Sequence, residues 1–166
     1  FKHKVIPASP EAIQASEAAL AAGQQKKFWE FHDALAATTS PLSQATFEQV
    51  AKDIGLNVGR FKKALASGRF RAQVLQDSLL ANGLGAHSMP NILVNGVRTR
   101  GEKSYEVMKA LVEKQLANRP KGKSYDDIVA TGKMFEQLGP SVGGFDTEGS
   151  ATLGKAGARV QVVVFE

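Results

Sequence analysis

The stretch GAHSMPNILVNG, residues 85–96, decides the fold. Ile92, Leu93 and Val94 form a short apolar run, and Asn95-Gly96 behind them is a strong signal for a two-residue hairpin turn, whose central positions need positive φ. Pro90 has no N–H to give to a sheet ladder, so it belongs at a strand's first residue, an edge or a bulge. Two readings are open for it at this point. It is either a trans residue that ends the preceding helix or a cis proline, a costly and usually purposeful feature.

Working outward, Asn91 to Val94 and Val97 to Arg100 are expected to pair as a hairpin. SYEVMKALVEKQLA, residues 104–117, then reads as an amphipathic helix through Tyr105, Met108, Leu111, Val112 and Leu116. On the other side lies a run of helices. Ser9 is an N-cap with Pro10 at the first helical position, and this first helix stops at Gly23. A second helix, about 25–37, places Phe28, Phe31 and Leu35 on one face with Trp29 beside it. A third follows Ser43 with Phe47, Val50 and Ile54 apolar, Asn57 caps a fourth ending near Gly68, and a fifth runs over about 69–82. Ahead of them all, FKHKVIP reads as a short strand closing at Pro7. The order strand, helices, strand, strand, helix is that of an α/β or α+β layer fold with a large helical insertion.

Beyond Asn118 the character changes. NRPKGK is a polar linker, Ser124 and Asp127 fit a capping box on a short helix, and the Gly- and Ser-rich 138–157 cannot be core. The last residues, ARVQVVVFE, read as a strand over about 159–165 buried on both faces of a sheet.

With 43% hydrophobic and 22% charged residues in 166, the chain can bury one real core. It holds no apolar run of membrane-spanning length, and FKHKVIPASP is not patterned as a secretory leader. The start without Met suggests a processed chain or a piece of a longer one. Cysteine is absent from all 166 residues, which excludes thiolate metal sites and thiol chemistry within them.

The net charge is +5, and GRFKKALASGRFR, residues 59–71, carries Arg60, Lys62, Lys63, Arg69 and Arg71 without an acid. No recognition motif accompanies it, and Phe61 and Leu65 at i, i+4 read as a core face with cations on the solvated side, so no nucleic acid is expected as a partner. His3, His32 and His87 invite a metal or general-base role, but each reads as a solvated or hydrogen-bonded histidine. His87 is the one to watch because it precedes Pro90. His32 and Asp33 are about 100° apart on a helix and are not expected to converge. No metal and no cofactor are expected.

Together, FKHKVIP, EAALAAGQQKKFWEFHDAL and SMPNILVNG, in that order, resemble the DsbA-like branch of the thioredoxin superfamily, the thiol–disulfide oxidoreductases, over residues 1–117. The resemblance implies an α/β fold: a thioredoxin-like sheet in residues 1–118 with a helical insertion at about 9–83. Residues 119–157 would be a linker with a short helix, and 158–166 would resemble the first strand of a following thioredoxin-like domain. It further implies that Pro90 is cis, and that Met89, with Ser88 and Pro90, pairs its backbone with an extended polypeptide substrate. In such proteins a strand leads into Cys-x-x-Cys at a helix N-terminus, where the dipole lowers the thiol pKa. That motif and its helix should precede Phe1, and VQVVVFE resembles the strand leading into it. The terminal strand is therefore expected to fill the empty sheet position beside KHKVI, within its own chain or by exchange in a strand-swapped homodimer.

Functionally, the resemblance implies a fragment or cysteine-less form of a DsbA-like disulfide oxidoreductase, unable by itself to exchange disulfides. The alternative is a non-catalytic peptide-binding or scaffold module. The implied location is periplasmic or otherwise extracytoplasmic.

Overall fold

A computed structural model describes residues 1–5, 9–83, 85–94, 97–117, 154 and 162–165. It divides into two compact units, a helical one of His3–Leu79 and a sheet-bearing one of Phe1–Lys2 with Leu80–Glu166.

The helical unit contains α1 (Pro10–Gly23), α2 (Phe28–Ala36), α3 (Gln44–Asp53), α4 (Val58–Ala66) and the first turns of α5 (Arg71–Gly83). Side-chain caps start three of them: Ser9 accepts from the Ala12 N–H, Ser43 from Thr46 and Asn57 from Arg60. Each cap satisfies an amide that the helix itself cannot pair. Ala18, Ala19, Ala21 and Ala22 are buried along α1, which contacts α2, α3 and α4. Such short side chains let neighbouring backbones approach closely. Phe31, Phe47 and Phe61 fill the space between, all fully buried, with the Phe31 and Phe61 ring centroids 5.5 Å apart. Burying each ring stabilises the unit by about 1.5–3 kcal/mol. Gly55, at φ +72°, turns the chain out of α3 so that the Leu56 N–H can reach the Ala51 carbonyl at 2.8 Å.

The sheet unit contains β1 (Asn91–Val94), β2 (Val97–Arg100), α6 (Tyr105–Ala117) and β3 (Val162–Phe165), with strand order β2-β1-β3. Both pairings are antiparallel: Ile92 faces Thr99 on one side and Val164 on the other, and Leu93 faces Arg98 and Val163. Leu93 and Val94 are fully buried. The Asn95-Gly96 turn, the capping box at Ser124 and Asp127, and the expected linker helix lie outside the described residues.

Three expectations need correction. FKHKVIP does not form a strand in its described part; only Lys2 bridges, its N–H donating to the Val164 carbonyl at 2.7 Å. The next donors are diverted to α5 side chains: His3 N–H to Asp77 Oδ2 at 3.2 Å and Val5 N–H to Ser78 Oγ at 3.4 Å. Those contacts satisfy the backbone without a ladder. β3 is not buried on both faces, since Val162 is 43% exposed. Beyond β1, its only paired neighbour among the described residues is the Lys2 bridge. Tyr105, assigned to the apolar side of α6, is 75% exposed, and no described α6 residue is buried.

Candidate functional site

The loop entering β1 brings together the residues that the sequence singled out. Ser88 and Met89 are exposed, Met89 by 41%, and Pro90 is half-buried directly ahead of the strand. The Met89–Pro90 peptide bond is cis. Two contacts hold the loop to the sheet. The Gly101 N–H donates to the Pro90 carbonyl at 3.0 Å, and the Asn91 amide group donates to the Ser88 carbonyl at 3.5 Å. Gly101 takes φ +68°, the left-handed region where an added Cβ is disfavoured. Upstream, the Ala86 N–H reaches the Ala81 carbonyl at 2.8 Å and anchors the loop to the end of α5.

The outcome is a bent loop that presents one exposed apolar side chain just ahead of β1. Met89's main-chain N–H and carbonyl have no hydrogen-bond partner among the described residues. An incoming extended chain can pair with such groups by strand addition, drawing affinity from backbone bonds. Met is suited to this contact because its flexible thioether adapts to irregular apolar partners. Below the loop, Asn91 is fully buried and its Oδ1 lacks a partner among the described residues. An unmatched buried acceptor costs about 1–3 kcal/mol. Nothing in the sequence pattern singled out Asn91, whose burial is set by the fold, or Gly101, which acts through a contact across the hairpin.

The histidines do not converge. His87 is exposed ahead of Ser88. His3 is buried with its ring 6.0 Å from that of Phe28, edge-on. His32 stacks on Phe28 at 6.2 Å, and its Nδ1 lies 2.9 Å from Asp33 Oδ1. This corrects the expectation for that pair: the side-chain rotamers bring the two groups together although their positions diverge by about 100° around the helix. No group of three potential metal ligands occurs among the described residues. No helix among them is long and apolar enough to cross a membrane.

Residues 1–114 match the family model described as thioredoxin. Among solved structures, a thioredoxin-like oxidoreductase from Silicibacter pomeroyi DSS-3 superimposes with a TM-score of 0.65 at 23% identity, covering 72% of this chain and 68% of that one. A Na(+)/H(+) antiporter NhaA 3 of Salinispora tropica is 35% identical over 116 residues, 68% of this chain and 18% of the antiporter. A Na(+)/H(+) antiporter NhaA 1 of Salinispora arenicola is 35% identical over 108 residues, and one from Herminiimonas arsenicoxydans is 31% identical over the same length. The chain thus spans less than a fifth of the length of these curated relatives, at most 18%.

Proposed function

The chain belongs to the thioredoxin family, and from that membership we propose that it forms the polypeptide-binding domain of a DsbA-like thiol–disulfide oxidoreductase working outside the cytoplasm. Ser88, Met89 and Pro90 present the extended substrate segment. Met89 supplies the backbone N–H and carbonyl and an adaptable apolar contact. The observation that carries this reading is the exposure of Met89 at the head of β1, with no described partner for its main-chain groups. Exchange itself needs a thiolate, and these 166 residues hold no cysteine. The attacking thiol is therefore supplied from outside them, by a Cys-x-x-Cys segment at a helix N-terminus that lowers its pKa.

A second reading, a non-catalytic peptide-binding module, is favoured by that same lack of cysteine. Both readings predict peptide binding at one place. In a titration of the isotope-labelled chain with a reduced, unfolded polypeptide, the amide signals of His87, Ser88 and Met89 should shift. Shifts confined to other residues, or none at saturating peptide, would sink both. Thiol titration of the protein isolated from its natural source separates them: reactive thiol supports the oxidoreductase, and its absence supports the module.

A further inference from the structure

We infer that the cleft between the end of α1 and α4 binds a small multivalent phosphate anion. The site lies wholly in the helical unit and uses no residue of the Met89 loop, so it goes beyond the function proposed above.

The five cations of residues 60–71 are sorted by the structure into two groups. Lys62 and Arg71 are neutralised. Lys62 Nζ lies 3.0 Å from Glu48 Oε2, and Gln44 and Lys62 together hold the Glu48 carboxyl below its usual range. Arg71 takes both Glu17 oxygens, Nε at 3.2 Å and Nη2 at 3.4 Å, a pairing that raises its own pKa. The other three, Arg60, Lys63 and Arg69, line a cleft of about 440 Å³ that no described carboxylate borders. Arg60 and Lys63 sit at i, i+3 on α4, which places them on one face. Neither has an ion-pair partner among the described residues. Arg69 donates to Gln24 Oε1 and lies 5.0 Å over the Phe70 ring, so its guanidinium is oriented while its charge stays uncancelled.

The remaining lining selects for the same chemistry. Ala21 and Ala64 are buried, and their short side chains leave the volume open. Gln25 is committed to Asn57, donating to its carbonyl at 3.2 Å and accepting from its N–H at 2.9 Å. Ser67 gives its hydroxyl proton to the Ala64 carbonyl at 2.6 Å. Besides the Gln24 side-chain amide, whose Oε1 accepts from Arg69, the donors left for a ligand are cationic, which suits a partner rich in acceptors. Three cations exceed what one carboxylate can balance. Tetrahedral phosphate oxygens accept the arginine fork in pairs, and the volume falls within the usual range for small-molecule sites, roughly 300–1,000 Å³.

The test is calorimetric titration of the whole chain with inorganic pyrophosphate at low ionic strength. Saturable one-to-one binding is expected. The double variant Arg60→Gln, Lys63→Gln should weaken it by about tenfold or more, as loss of two charge-assisted hydrogen bonds implies. Lys62→Gln, whose cation is already paired, should stay within about twofold of the parent chain, and circular dichroism should confirm that both variants keep their helices. The inference is overturned if pyrophosphate gives no saturable heat, or if Lys62→Gln weakens binding as much as the double variant does, the signature of diffuse surface charge. A second arm uses phosphatidylcholine vesicles containing phosphatidylglycerol. Vesicle binding that the double variant abolishes, without any pyrophosphate heat, would assign the cleft to lipid headgroups and overturn the free-anion reading. Saturable pyrophosphate heat sensitive to the double variant upholds it whatever the vesicles do.

Discussion

Phe61 and Leu65 share one face of α4, and their spacing is enough to direct that face inward. Phe61 is fully buried against Phe31, whereas Leu65 is only half-buried. Phe61→Ala should therefore cost about 3–5 kcal/mol, seen as a lower urea midpoint at unchanged slope. A loss below about 1 kcal/mol would mean that the cluster repacks, and Phe61→Leu gives a milder comparison should the alanine variant fail to fold. Position 32 was less legible. Helical geometry separates neighbours by about 100°, yet His32 and Asp33 meet at 2.9 Å because rotamer choice is free to undo that separation. Position 91 was not legible at all. Asn91 sits in an apolar strand, and its burial follows from the fold rather than from its chemistry. Met89 and Pro90 drew attention as sequence, but the 41% exposure of Met89 is set by the hairpin and by the anchoring of the loop through Gly101 and Ala86.

Helix starts were the most legible elements. Ser9, Ser43 and Asn57 all cap as their residue types require, because a cap bond spans only three residues and needs no tertiary partner. Asn57 does more than cap: its N–H and carbonyl both bond the Gln25 side chain, tying α4 to the end of α1. Asn57→Ala should remove the cap bond alone and cost about 1 kcal/mol in chemical denaturation, while Asn57→Asp keeps most of it. Equal losses in the two variants would argue that the side chain acts otherwise. Strand signals fared less evenly. VVVF forms β3 as its apolar run suggests, but the described residues 1–5 of the opening segment form no ladder beyond the Lys2 bridge, since Asp77 and Ser78 take the donors of His3 and Val5 first. An apolar pair does not specify a strand when side chains of a nearby helix offer its backbone other acceptors.

At the scale of the whole molecule, the sheet is assembled from segments far apart in the chain, with β3 beside β1 and its Val164 carbonyl accepting from Lys2. Val164→Pro keeps the carbonyl that accepts from Lys2 but puts a ring into β3 that distorts that edge. Amide exchange at Lys2 and at Ile92–Val94 should quicken by about threefold to tenfold, matching the loss of one net hydrogen bond of roughly 0.5–1.5 kcal/mol. Unchanged exchange there would show that β3 contributes nothing to the sheet. By itself the sequence determined the helices and their caps, the hairpin strands flanking Asn95-Gly96, and the impossibility of thiol chemistry from these residues, because each follows from local backbone preference or from composition. Only the tertiary structure decided the strand order, the satisfied backbone of His3 and Val5, and which of five neighbouring cations are paired and which face an open cleft. The physical reason is range. Caps and turns close within a few residues, whereas strand neighbours and ion-pair partners are chosen by packing between segments that the sequence keeps apart.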